Sequence, residues 1–140
     1  MKTITWKLFL KSEPNSVFDL LSTSEGRTKF WSENATEEGR IIHFLFPNGQ
    51  TYDSQIIKTI SNKEFHLDYF NSLVKFKLMP SENGGTDLTL INENVSESDF
   101  SEVNAGWISV LMNLKAVADF QCDLRNHDPK KTWDQGYADN

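Results

Sequence analysis

Ile4, Trp6, Leu8 and Leu10 alternate with Thr5, Lys7 and Phe9. A period of two predicts a first strand. Ser12-Glu13-Pro14 then opens a short helix, with Ser12 as its cap and Pro14 in its first turn. Val17, Phe18, Leu20 and Leu21 form its apolar face. Ser22-Thr23-Ser24-Glu25 caps a second short helix that ends near Phe30-Trp31. A weak strand is expected near residues 32–38. Alternation resumes over residues 40–46 and 51–60, then in Phe65, Leu67 and Tyr69, in Val74, Phe76 and Leu78, and in Leu88, Leu90 and Asn92. Short turns separate these runs: Pro47-Asn48-Gly49, Ser61-Asn62-Lys63, Asn71-Ser72 and Glu82-Asn83-Gly84-Gly85. Strands joined so tightly must be antiparallel.

Beyond Ser96 the period changes to that of a helix. Asp99 and Glu102 form a start signal, and Val103, Trp107, Val110, Leu111, Leu114, Val117 and Ala118 make one apolar stripe. The helix is predicted over residues 99–125, with Asn126 as a left-handed cap before Asp128-Pro129. It would be about 38 Å long at 1.5 Å per residue. A strand here is about 27 Å long, so the helix crosses the sheet and a twisted sheet wraps around it. The fold class is α+β, a curved antiparallel sheet gripping a long C-terminal helix. No linker interrupts residues 1–140, which are expected to form one domain with residues 127–140 as a tail packed on the body through Trp133 and Tyr137.

Charge narrows the partners. Twenty acidic against 14 basic residues leave a net charge of −6, and Lys130-Lys131 is the only adjacent basic pair. Such a surface repels nucleic acid and anionic membrane. Cys122 is the only cysteine, and the N-terminus lacks the apolar core of a signal peptide, so a cytoplasmic setting is expected.

The chemistry-bearing residues are sparse. His43, His66 and His127 share no metal-ligand spacing and no partner for a general base, so structural or solvated roles are expected. Cys122, placed in the last turns of the helix, would have its thiolate disfavoured there. No phosphate loop, dinucleotide fingerprint or nucleophile elbow occurs, so neither a cofactor nor a catalytic residue is expected. The inward face carries more information. Alternation assigns Phe44, Phe46, Phe76 and Leu90 to it, with four polar positions, Tyr52, Ser54, Tyr69 and Asn92. Buried polar groups need partners. These four can bond with one another and be structurally silent, or orient a ligand in an apolar slot. With Trp31 as a gate, and Trp107, Val110, Leu111 and Leu114 from the helix, they form the candidate cavity.

Val17-Phe18 with Phe30-Trp31, the run Gly84-Gly85-Thr86-Asp87-Leu88-Thr89-Leu90, and Gly106-Trp107 with Leu111 and Leu114-Lys115 resemble homologues of the activator of the Hsp-ninety ATPase. These are SRPBCC, or START-like, proteins of the helix-grip superfamily. The resemblance covers nearly the whole chain, and the tail from Asp123 to Tyr137 looks like that of a bacterial subgroup. It implies a seven-stranded sheet gripping the last helix, with a cavity between them. It does not imply one function. A His often occupies the Asn92 position in that family; here a hydrogen-bonding residue replaces it.

Three functions are compatible. The first is non-enzymatic binding of a small apolar or amphipathic molecule between sheet and helix. The second is an interaction protein acting on a chaperone or other client through its surface. The third is a cyclase- or hydratase-like enzyme anchored by Tyr69 and Asn92. An internal cavity above about 300 Å³ would favour the first or third, and a filled core the second.

Overall fold

In the computed structural model, which describes residues 1–140, the elements in chain order are β1 (Lys2–Leu10), α1 (Pro14–Ser22), α2 (Ser24–Phe30), β2 (Asn34–Glu38), β3 (Ile41–Leu45), β4 (Thr51–Ile60), β5 (Glu64–Tyr69), β6 (Ser72–Pro80), β7 (Thr86–Val95) and α3 (Phe100–Phe120). A single 3-10 turn, Trp133–Gln135, follows in the tail. The seven strands form one antiparallel sheet in the order β1-β7-β6-β5-β4-β3-β2. The helices α1 and α2 carry the chain from one edge of the sheet to the other. The meander then returns strand by strand until β7 lies beside β1. This is the helix-grip architecture that the periodicities predict.

Apart from Trp6, which is 38% exposed, the alternation places side chains as expected. Ile4, Leu8 and Leu10 are buried on β1, and Leu88, Leu90 and Asn92 on β7. Leu8 lies opposite Leu88, and Trp6 opposite Leu90. From α3, Trp107, Leu111 and Leu114 enter the same core, while Phe18 of α1 meets Phe65 of β5 edge to face. The two short helices cross very closely. A Cβ on Gly26 would lie 2.5 Å from the Leu20 Cα, so only glycine fits there. Gly85 combines φ +84 with a backbone contact, since a Cβ would sit 2.4 Å from the Leu10 carbonyl oxygen.

Several local expectations are corrected. Ser12 does not cap α1; Glu13 occupies that position and makes no side-chain cap bond. The Ser12 hydroxyl instead donates to the Ala118 carbonyl at 2.7 Å and to Asp119 at 2.9 Å, and the amides of Lys11 and Ser12 also donate to Asp119. Lys115 reaches the same carboxylate and donates to the Phe9 carbonyl at 2.6 Å. Burial raises the Asp119 pKa, but these donated bonds outweigh it and hold the carboxyl below its ordinary range. The Ser12-Glu13-Pro14 start signal made Ser12 a local cap; the structure uses it to pin the edge strand to α3. The cap of α2 is Thr23, whose hydroxyl accepts from the Gly26 amide at 3.0 Å. Asp99 precedes α3 without a side-chain cap bond.

The main helix ends at Phe120, five residues before the predicted end. Gln121 takes the left-handed conformation, with φ 50 and ψ 42. Its amide donates to the Val117 carbonyl, the bond of a left-handed helix cap, and the Cys122 amide donates to the Ala116 carbonyl. The apolar stripe stops at Ala118, so nothing beyond it rewards a further turn. Cys122 therefore lies outside the helix and is exposed. The β5–β6 turn is Phe70-Asn71, since Tyr69 already pairs with Ser72. Both turn residues have positive φ, 48 and 61.

Leu114 is fully buried in this core. Leu114→Ala is expected to lower the unfolding free energy by about 2–5 kcal/mol, measured by denaturant titration. A loss well under about 1 kcal/mol would show that α3 is not seated against the sheet.

Candidate functional site

The concave face of the sheet meets α3 in a cluster of aromatic rings. Trp31 stands at its centre. Its ring centroid lies 5.0 Å from Phe44, 5.5 Å from Tyr69, 5.5 Å from Phe76, 5.9 Å from Phe30 and 5.9 Å from Trp107. Phe46 stacks on Phe44 at 5.7 Å. Such separations are those of rings in direct contact. Trp31 follows the last turn of α2, is only 5% exposed, and points into the cluster.

All thirteen residues singled out from the sequence lie in this region. Phe44, Ser54, Phe76, Leu90, Asn92, Trp107, Leu111 and Leu114 are buried with Trp31; Phe46, Tyr52, Tyr69 and Val110 are half-buried. The four polar members are bonded within the protein. The Trp31 indole donates to the Tyr69 hydroxyl at 3.1 Å, and burial pushes that hydroxyl well above its ordinary pKa. The Trp107 indole donates to Asn92 Oδ1 at 2.8 Å, while Asn92 Nδ2 donates to Ser72 Oγ at 2.8 Å and to the Leu73 carbonyl at 3.2 Å. Ser54 donates to the Asp68 carbonyl and Tyr52 to the Asp68 carboxylate. The Tyr52 hydroxyl in turn accepts the Asn71 amide at 3.2 Å. Burial first, then the bond to Asp68, raises the Tyr52 pKa.

Periodicity did not single out some of the polar residues that matter most. Arg27 is fully buried at the α1–α2 junction. It donates to the Leu21 and Ala35 carbonyls at 3.1 Å each and reaches Glu37 at 3.3 Å, while its Nε has no partner. Burial lowers its pKa and Glu37 partly offsets this. A lone Arg on a short helix reads as a surface residue, so no pattern in the sequence marked it. Asp68 and Ser72, which complete the hydrogen bonds of the polar members, were equally silent.

Two open depressions lie outside the grip, and none of the thirteen residues lines either. One, of about 690 Å³, runs between Ser12, Ser16, Leu20 and Lys29 on one side and Val117, Ala118, Gln121, Cys122 and Asp123 on the other. The other, of about 430 Å³, lies on the outward side of α3 between Ile108 and Met112 and the tail residues Leu124, Trp133 and Ala138. The histidines are dispersed. His43 pairs with Asp53 at 2.7 Å, the buried His66 with Glu64 at 2.8 Å, and His127 with Asp123 and Glu33. No cluster of three or more His, Cys, Asp or Glu is arranged to hold a metal ion, and no helix is long and apolar enough to cross a membrane.

Replacing Asn92 by Leu leaves the buried Trp107 indole without an acceptor. The expected loss of unfolding free energy is about 1–3 kcal/mol by denaturant titration. Tyr69→Phe removes the acceptor for Trp31 and is expected to cost a similar amount. Wild-type stability in both variants would show that these bonds do not hold the interior.

Comparison with known proteins agrees with this geometry. The solution structure of the Aha1 dimer from Colwellia psychrerythraea is 26% identical and superposes with a TM-score of 0.76, covering 86% of this chain and 98% of that one. A crystal structure from Staphylococcus saprophyticus is 19% identical with a TM-score of 0.72, covering 83% and 90%. A Bacillus halodurans protein is 20% identical with a TM-score of 0.70, covering 85% and 98%. The last two likenesses concern the fold alone. No curated protein matches the chain. Residues 11–119 match the family described as Activator of Hsp90 ATPase homolog 1-like protein, and with most of its length inside that match the chain belongs to this family.

Proposed function

We propose that this chain is a non-enzymatic interaction module that acts on a protein partner through its outer surface, with a chaperone of the Hsp90 type as the first candidate. The supporting observation is the ring cluster around Trp31. Its rings touch one another, and its polar members are bonded within the fold. Rings in direct contact leave a ligand little room among them, and the polar members already hold partners inside the fold. The family description supplies the candidate partner. The Colwellia psychrerythraea source of the 26% identical Aha1 structure suits a bacterial setting.

The test is to add the purified chain to the Hsp90-type chaperone of its own host. We expect complex formation by sedimentation and a changed rate of ATP hydrolysis. Absence of both would remove the chaperone as partner.

A second reading keeps a small apolar or amphipathic ligand, such as a fatty acid or a flavonoid, as the cargo of the grip. It rests on one observation: at the open end Phe46, Tyr52 and Tyr69 are only half-buried, and Phe70 is 40% exposed with a left-handed backbone. Backbone strain of this kind gathers at functional sites. Entry would require Trp31 to swing away from Tyr69. A true ligand at 100 times its Kd should stabilise the fold by about 2.7 kcal/mol. It should also shift the resonances of Trp31, Phe44 and Asn92. Shifts confined to the outer sheet face or the tail would eliminate this reading.

The cyclase- or hydratase-like alternative draws less support. Asn92 is occupied by Trp107 and Ser72, and a Tyr69 hydroxyl with a raised pKa keeps its proton at neutral pH.

A further inference from the structure

Past the end of α3 the chain turns back along the body, and its first anchor is Arg125. The guanidinium donates to the Thr28 carbonyl at 2.8 Å and the Ser32 carbonyl at 3.0 Å, and also bonds Asp123. Two residues on, His127 has a left-handed backbone, φ 58. Its Nδ1 lies 2.8 Å from Glu33 Oε1 and its Nε2 lies 2.6 Å from Asp123 Oδ2.

This placement has a chemical consequence. A neutral imidazole carries one N–H and one lone pair, so it can donate to only one of two carboxylates. The other nitrogen would then face a carboxylate oxygen lone pair to lone pair. Only the imidazolium donates to both. The tail beyond it folds over the outward side of α3. Trp133 and Ala138 face Ile108 and Met112 across the depression there, and the Ser109 hydroxyl donates to the Ala138 carbonyl at 3.2 Å.

We propose that residues 126–140 are a strap locked by an imidazolium clasp: charged His127 bridges Glu33 and Asp123, and loss of its proton frees the strap and uncovers the apolar outward face of α3. The face in question carries Ile108 and Met112, which remain 42% and 45% exposed under the strap.

The charges around the ring set the direction. Asp123 and then Glu33 raise the His127 pKa, while partial burial and the Arg125 guanidinium oppose them. Lys29, on the neighbouring α2, lines the same depression as Asp123 and makes no ion pair. A group whose pKa is raised on docking stabilises the docked state fully below its free value. That stabilisation disappears as pH rises through the docked value. Burial opposes ionisation of Asp123, but bonds from Arg125 and His127 hold its pKa to about 2, so its side of the clasp stays charged in mild acid. The strap is therefore closed at mildly acidic pH and opens on the alkaline side. Arg125, bonded to the Thr28 and Ser32 carbonyls, remains the hinge.

The experiment is a proton NMR titration of the His127 ring in the full chain, with backbone relaxation of the strap at about pH 6 and about pH 9, on either side of a raised His value. His127 should titrate above a free histidine. Each unit of that difference corresponds to about a tenfold change in the ratio of docked to free strap. Residues 126–139 should be ordered at the lower pH and mobile at the higher, while α3 stays ordered. Glu33→Gln should lower the His127 titration, and His127→Gln should leave the strap mobile at both values. An ordinary His127 titration would overturn the proposal. So would a strap equally ordered at both pH values, or an ordered strap in His127→Gln.

Discussion

The burial of Trp31 between the sheet and α3 is the contact on which the rest of the fold depends. A strongly curved sheet wrapped around one helix leaves a gap that aliphatic side chains of the strands cannot fill alone. Here the gap is filled from outside the meander, by one indole delivered from the end of α2. It touches rings from β3, β5, β6 and α3 at once. Large aromatic side chains bury the most surface per residue ordered, and their edge-to-face contacts add to that. The short helices therefore serve as the device that inserts this ring, and Gly26 and Arg27 fix the angle at which they do so.

A second set of interactions fixes the depth of α3. Asn92 on β7 accepts from the Trp107 indole and donates across to β6, so the helix is bonded to the middle of the sheet by a fully satisfied polar group. At the sheet edge the Trp6 indole donates to Asn104 at 2.8 Å, and Asp119 collects the start of the α1 segment. Buried polar groups so bonded specify one arrangement, because any slip would leave them unpaired. The Asn92 side chain carries no titratable proton. The result is a hydrogen bond that does not depend on pH.

The sequence made the larger elements legible. The switch from period two to the helical period and the turn residues led to the antiparallel strands and to the gripping helix, and the resemblance carried in part by the Gly-Gly-Thr run led to seven strands. Placement of the strand and α3 residues in one region was legible for the same reason: the two periods decide which side of a strand and which side of the helix face each other. Whether they enclose a space was not legible, because it depends on where Trp31 points, and a residue at a helix end carries no periodic signal. Arg27 was invisible for a related reason, its burial being created by the α1–α2 crossing rather than by its own neighbours in sequence. The early end of α3 was missed because Asp123 and Arg125 fit a continuing helix as well as a strap, and only their tertiary partners decide between them.

On the proposed reading the interior serves packing, and the outer surface, including the outward side of α3 and its strap, serves a partner. The direct measurement of that claim is the unfolding free energy of Trp31→Ala relative to wild type. A ring that fills the grip predicts a loss of about 3–5 kcal/mol. A loss under about 1 kcal/mol would mark Trp31 as the border of an open slot and contradict the account.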